Sequence, residues 1–342
     1  MPLDIESHPQ LIAYLRAAGH IQRDEVPECK TLQGGVSNKT VWVQRESGEA
    51  WVLKQALAKL RVQVDWFSDP ARVHREALGM TWLAQVAPAG ATLPLLFEDF
   101  THHLIAMPAV PQPHENWKSL LLRGELDLDH INQFGHLLGQ VHALSHRHSD
   151  RVAPIFEDRS FFETLRLEPY YSFTASQIPE AAPFYAKLMD DTRATRLTLV
   201  HADYSPKNIL VHQGKLILLD HEVIHWGDPA FDVGFSMIHL LSKAHHLPQH
   251  RAAFLQAARQ YWQSYCSASG FVDWAAALEE RAVRHTLACL LARVAGRSPL
   301  EYLNAHERAI QKRIAIALTR PRLKNMLELI GLFETTLDLL QK

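Results

Sequence analysis

Residues 199–235 read LVHADYSPKNILVHQGKLILLDHEVIHWGDPAFDVGF, and this stretch constrains the fold more than any other. Two apolar runs, Asn208–His212 and Lys215–Leu219, flank the tight turn His212-Gln213-Gly214. Short apolar runs on either side of a glycine turn predict a β-hairpin. His201, Asp203, Asn208, Asp220, Glu222, Asp228 and Asp232 crowd around it. The hairpin returns Asp220 toward Asn208, so polar and acidic groups gather at one end of a buried element.

That grouping has a chemistry. Phosphoryl transfer to a hydroxyl needs a carboxylate near the acceptor proton and oxygen ligands for the magnesium that bridges the nucleotide phosphates. Magnesium is hard and gives up its waters reluctantly, so one or two carboxylates and an amide oxygen suffice from the protein. Asp203 and Asn208 lie five residues apart before a strand, and Asp220 ends the next one. A polar loop rich in Asp and Asn would also turn the chain without any chemistry; it is the ordered set, not one acid, that points to a base and two ligands.

His201-Ala-Asp203, then Asn208, then Asp220 resembles the catalytic loop and metal site of the aminoglycoside phosphotransferase and choline kinase superfamily. The resemblance implies an α+β, protein-kinase-like fold of two lobes: a small antiparallel-sheet N-lobe, residues 1–107, that clamps nucleotide, and a large, mainly helical C-lobe, residues 108–342, for catalysis and acceptor binding. It implies Asp203 as catalytic base, His201 as a brace for the loop, and Asn208 and Asp220 as magnesium ligands. Asp232 would buttress the loop. Where protein kinases carry Asp-Phe-Gly, this chain has Asp220-His221-Glu222, which looks like methylthioribose kinase. Glu222 would then be a further metal ligand, direct or through water. Asn208 departs from that subfamily, where serine is common.

The N-terminal third carries the expected clamp. Gln33-Gly34-Gly35-Val36-Ser37-Asn38 precedes the strand-like run Thr40–Gln44, and Trp51–Lys54 follows a Glu46–Glu49 turn. Glycines let backbone N–H groups approach phosphates, which assigns Gly34, Gly35, Ser37 and Asn38 to ATP. Lys54 supplies a point charge for phosphate oxygens. Glu76 lies on an expected helix, Pro70–Val86, whose apolar positions Val73, Ala77, Met80, Leu83 and Ala84 recur at helical spacing. It would hold Lys54 in an ion pair. Leu104–Met107 reads as a strand ended by Pro108; by position, Ile105–Ala109, with Met107, is the expected adenine-facing segment. Pro108 and Pro111 have no N–H to offer there.

Beyond residue 115 the pattern turns helical. Residues 8–18 and 130–146 read as helices, and after Asp232 helical patterns run near 233–246, 249–268, 271–295 and 299–340. Pro248, Gly270 and Gly296–Pro299 break them. His142 reads as a core histidine. Residues 151–198 are rich in Phe and Tyr, more for packing than for covering an acceptor.

Composition excludes several classes. The 342 residues, 47% hydrophobic, suit a globular enzyme with a sizeable core. A net charge of −2 gives no reason to expect nucleic acid or an anionic membrane. No apolar run spans a bilayer, and Met1–Glu6 lacks the look of a signal peptide. Cys29, Cys266 and Cys289 are too few and too scattered for a disulfide framework or a zinc site, so the cytoplasm is the expected home. The 21 histidines show no metal-binding spacing.

The acceptor is expected to be a small-molecule alcohol. Asp220 and Asp232 are only 12 positions apart, too close for the activation segment of a protein kinase. From Val233 onward 14 Lys and Arg face 8 Asp and Glu, which suits a neutral sugar such as methylthioribose, or an anionic hydroxy compound, better than a polycationic aminoglycoside. Choline would want an aromatic cage, for which Tyr261, Trp262, Tyr265 and Trp274 are candidates. Arg293 or Arg297 would approach a sugar. Aminoglycoside and choline or ethanolamine kinases, and a nucleotide-binding pseudokinase without catalysis, are the alternatives. The oligomeric state, a homodimer included, stays open.

Overall fold

The computed structural model of the chain describes residues 3–33, 35–61, 65–270 and 275–341. The chain divides into two compact units: Met1–Gln85 with Thr92–Gln112 and Asp220–Glu222, and Val86–Ala91 with Pro113–Leu219 and Val223–Lys342.

The first unit holds α1 (His8–Ala17), β1 (Glu28–Thr31), β2 (Asn38–Gln44), β3 (Ala50–Ala56), nearly all of α2 (Arg72–Val86), β4 (Phe97–Asp99) and β5 (Leu104–Pro108). The strands form one antiparallel sheet in the order β1-β2-β3-β5-β4. Helix α1 stops where Gly19 takes a φ of 74°, a left-handed value that costs glycine little. The two-residue side-chain period of a strand sorts β3 and β5. Trp51, Leu53, Leu104 and Ala106 join Leu11 and Leu15 in one core cluster. Val52, Ala56, Ile105 and Met107 meet Val73, Ala77 and Met80 of α2 in another. Lys54 shares a strand face with Val52 and Ala56, which aims it at α2.

The second unit holds β6 (His114–Asn116), α3 (Trp117–Leu122), α4 (Leu128–Arg147), α5 (Ser149–Phe156), α6 (Ser160–Phe162), a π-helical run Glu163–Ser172, α7 (Phe173–Gln177) and α8 (Ala182–Ala194). Strands β7 (Thr198–Val200), β8 (Ile209–His212), β9 (Lys215–Leu218) and β10 (His225–Gly227) follow, then α9 (Pro229–His246), α10 (Arg251–Ser269), α11 (Ala275–Ala295), α12 (Ala305–Thr319) and α13 (Met326–Gln341). The expected hairpin is present: β8 and β9 pair from Ile209↔Leu218 to His212↔Lys215. Gln213 and Gly214 join them at φ values of 49° and 72°, the left-handed pair that a type I′ hairpin turn requires.

Helices α4 and α10 pack closely because α4 carries glycines one turn apart. A Cβ at Gly135 would lie 2.7 Å from the Tyr261 carbonyl oxygen, and one at Gly139 would lie 2.6 Å from that of Tyr265. The helical pattern expected over 299–340 is two helices, α12 and α13, rather than one. Pro321 falls between them and has no N–H to continue a helix. Among the described residues no helix is long and apolar enough to cross a membrane.

Candidate active site

In the first unit, Lys54 Nζ donates to Glu76 Oε1 and to Asp220 Oδ1, each at 2.7 Å. The lysine and glutamate side chains are 12% and 1% exposed, while that of Asp220 is 24% exposed. One ammonium cannot neutralise two carboxylates, and the deeper acid bears the surplus. Burial, reinforced by Asp220 and Glu222 and opposed by Lys54, pushes Glu76 up to about 7. Burial also works against the Lys54 charge, but Asp220 and Glu76 outweigh it and hold the ammonium above the ordinary lysine range. Asp220 has a φ of 70°, a conformation that non-glycine residues adopt rarely and that marks many functional positions.

Arg72, at the start of α2, is fully buried and organises the segment around Ser37. Its guanidinium donates to the carbonyls of Ser37, Leu57 (2.9 Å) and Asp69 (3.1 Å), and its Nε to Glu222 Oε2 at 3.1 Å. Asn38 Nδ2 approaches the same Glu222 oxygen at 3.4 Å. Ser37 and Asn38 are buried. Gly34 lies outside the described residues; Gly35 precedes β2, where an added Cβ would come within 3.3 Å of the Asn38 carbonyl. Met107 is buried in β5, on the α2 side of the sheet. Ala109 N–H is committed to the Ala50 carbonyl at 2.8 Å.

In the second unit the loop after β7 is held from below. Asp232, on the first turn of α9 and fully buried, accepts from His201 N–H and Ala202 N–H, both at 2.7 Å. His142 of α4 lies behind it, with Nε2 at 3.4 Å from Asp232 and Nδ1 at 2.9 Å from the Tyr265 hydroxyl. His201 Nδ1 accepts from Asp203 N–H at 3.2 Å. Asp203 is gripped on both oxygens: Oδ2 accepts from Asn208 Nδ2 at 2.7 Å, and Oδ1 lies 3.1 Å from Arg166 Nη2. Asn208 Nδ2 also donates to the Asp203 carbonyl at 3.0 Å, which turns its Oδ1 away from Asp203. Leu219 N–H donates to the Asn208 carbonyl at 2.9 Å, and Asp220 is the next residue.

Two arginines in these networks escape sequence reasoning. Arg72 sits at a helix start and Arg166 in an aromatic stretch, and no local motif singles out either. Arg166 is buried in the π-helical run, and its Nε also donates to the Ala202 carbonyl at 2.6 Å. Tyr261 and Tyr265, considered for a cage, are fully buried and bond Ser236 and His142, so they belong to the α10 core face. Trp274 lies outside the described residues. Arg293 bonds Tyr170 and Ser298, and Arg297 lies over the Phe173 ring at 5.1 Å.

The chain matches the family model described as the phosphotransferase enzyme family, APH, over residues 28–279. No curated protein matches it. Among solved structures it is similar to a choline/ethanolamine kinase family protein from Mesorhizobium loti, at 13% identity and a TM-score of 0.57, over 97% of this chain and 99% of that one. It is also similar to the amicoumacin kinase hAmiN in complex with AMP-PNP, Ca2+ and amicoumacin, at 16% identity and a TM-score of 0.53, over 93% and 98%. A mutant of an aminoglycoside 2'-phosphotransferase, type IIIa, bound to GDP, matches at 13% identity and a TM-score of 0.52, over 95% and 97%. These likenesses show the fold, which is the α+β protein-kinase-like one. The family match covers well over half of the sequence: the chain belongs to the APH phosphotransferase enzyme family.

Proposed function

We propose that the chain transfers the γ-phosphoryl group of ATP to an alcohol hydroxyl of a small molecule, with Asp203 as the base. The observation that carries this reading is the grip on Asp203. A buried carboxylate, Asp232, fixes the backbone before it, and Arg166 and Asn208 fix its two oxygens. A carboxylate so held can orient an acceptor hydroxyl and take its proton late in a loose transition state.

Lys54, held by Glu76, is the cation for the nucleotide phosphates, and the Gly34, Gly35, Ser37 and Asn38 segment supplies backbone N–H groups to them. Beside Met107, Val110 is the adenine-facing donor in this reading, because Pro108 and Pro111 have no N–H and Ala109 has spent its own on Ala50. The donor set suits a hard divalent cation. Asn208 Oδ1 is turned away from Asp203, and Asp220 is a carboxylate held at a left-handed φ. Glu222 is assigned as a further oxygen donor in the same set, while its Oε2 also anchors Arg72. Magnesium, when bound, would neutralise charge on the bridging phosphate oxygens. The AMP-PNP and Ca2+ of the amicoumacin kinase complex support a nucleotide and a divalent cation here as well.

The acceptor is a small molecule, with a sugar such as methylthioribose as one candidate. Measuring ATP consumption by kcat/KM with methylthioribose, simple sugars, kanamycin and choline tests the reading. Turnover with one class identifies the acceptor. Nucleotide binding without turnover on any of them would make the chain a pseudokinase and overturn the proposal.

A further inference from the structure

A second set of polar side chains in the helical unit has no part in the chemistry above. Lys243 and His239 lie one turn apart on α9 and are 0% and 6% exposed. Lys243 Nζ donates to the His239 carbonyl at 3.3 Å and sits 5.3 Å from the centre of the Tyr302 ring. Among the described residues no carboxylate lies within ion-pair distance of it; Glu301, whose charge acts on it, pairs with Lys118. His239 Nε2 is buried without a hydrogen-bond partner, and so is Arg293 Nε. Lys118, Lys207, Lys243 and Arg293 all bear on the His239 ring through their charge.

Burying a cation without a counter-charge is costly, and Lys243 is the one fully buried here. The strain shows in the lysine: burial, with Lys118 and Arg293 close by, pulls it down to about 7 against the pull of Glu301. A buried ammonium that meets only a carbonyl and a ring face lacks a counter-charge. Nearby residues bridge this cluster to the candidate base. Arg166, which pairs with Asp203, lies 5.8 Å from the Tyr170 ring and 6.0 Å from the Phe235 ring. Arg293 Nη1 donates to the Tyr170 hydroxyl at 3.1 Å, and the Phe235 and His239 rings are 5.7 Å apart.

We propose that this cluster seats an anionic group of the acceptor, a carboxylate or a phosphate borne by the hydroxyl compound, with Lys243 and Arg293 as counter-charges and His239 Nε2 as a hydrogen-bond donor. The inference rests on the reading of Asp203 as base and narrows its substrate to an acidic alcohol. It assigns the missing counter-charge to the ligand, so the free protein carries the electrostatic cost and the bound one does not.

The test is binding without turnover. Isothermal titration of the full chain, without nucleotide, uses inorganic phosphate, glycerate, gluconate and glucose 6-phosphate against glucose and choline. At least one anion should bind more tightly than glucose and choline, and whether glycerate and gluconate or glucose 6-phosphate leads tells carboxylate from phosphate. Lys243→Met should weaken that anion by about 10-fold or more, as loss of a charged hydrogen bond does. His239→Gln is a second variant that keeps a donor-capable side chain and every cation, and it should weaken the same anion less. Binding is read without nucleotide or turnover, so a failed base assignment leaves this result intact. The proposal is overturned if no anion binds better than glucose and choline, or if both α9 variants bind it as tightly as the wild type.

Discussion

The Asp232 carboxylate accepts the backbone N–H of Ala202 at 2.7 Å, and Ala202 has a φ of 63°. An L-residue in that region costs roughly 1–2 kcal/mol, and here the neighbouring acid holds it there. The second oxygen takes His201 N–H at 2.7 Å, so one buried side chain sets the direction from which Asp203 leaves the backbone. Asp232→Ala removes two charge-assisted bonds and leaves two N–H groups unpaired. It should cost about 3 kcal/mol or more in urea unfolding, with turnover falling alongside. A variant within about 1 kcal/mol of wild type would show that the loop holds its shape unaided.

The Lys54 triad predicts an unusual pH dependence. Glu76 ionises near its ordinary 4.5 when unfolded and near 7 when folded. Between those values the folded chain holds a proton that the unfolded chain has released, so stability falls as pH rises through this window. Below about 4.5 the contribution is fully present, and above about 7 it is gone. Glu76→Gln lacks the titration. The stability of wild type relative to this variant should therefore drop between pH 5 and pH 8, by something on the order of 3 kcal/mol, in urea melts without nucleotide. A difference that stays level or grows with pH would refute the raised ionisation.

Much of this site was legible because its signals are local. The hairpin announces itself by two apolar runs and a glycine turn, and Asp203 and Asn208 share one loop. Lys54 and Glu76 sit where strand and helix periodicities aim them at each other. What stayed hidden depends on contacts distant in sequence. Arg72 reaches Glu222 from 150 positions away, and Arg166 meets Asp203 across 37. Nothing in their neighbours distinguishes these arginines from surface cations. Lys243 misleads further: a lysine in the last turn of a helix ordinarily favours the dipole from the surface, yet this one is buried because α9 is covered on all sides. The break at Pro321 was visible as a residue and missed as a boundary, because apolar spacing continues on both sides of it.

Helix propensity and packing make opposite forecasts at Gly139. Alanine in a helix interior is favoured over glycine by about 1 kcal/mol. Here its Cβ would stand 2.6 Å from a backbone oxygen of α10 and 2.8 Å from the Ala268 Cβ. A carbonyl in a packed helix cannot rotate aside, so the helices must part, at roughly 1–3 kcal/mol. Gly139→Ala should thus destabilise in thermal or urea unfolding, as should Gly135→Ala on the turn before. Stabilisation by both would mean that the α4–α10 contact is looser than the structure has it.

Asp203→Asn separates base chemistry from binding. The amide keeps the size of the carboxylate and loses its capacity to take a proton, so kcat should fall by about 100-fold or more, with the KM for ATP within about threefold of wild type. Near-normal turnover on the true acceptor would sink the assignment. Arg166 acts through Asp203 as a positioning residue, and its variants should show a different signature. Arg166→Met removes the guanidinium from Oδ1 and should lower kcat about 10-fold while leaving the KM for ATP unchanged. Arg166→Lys restores a positive charge without the second bond to the Ala202 carbonyl, so it should recover part of that loss. Equal loss in the two Arg166 variants would assign the arginine to packing of the π-helical run instead of to the aim of the base.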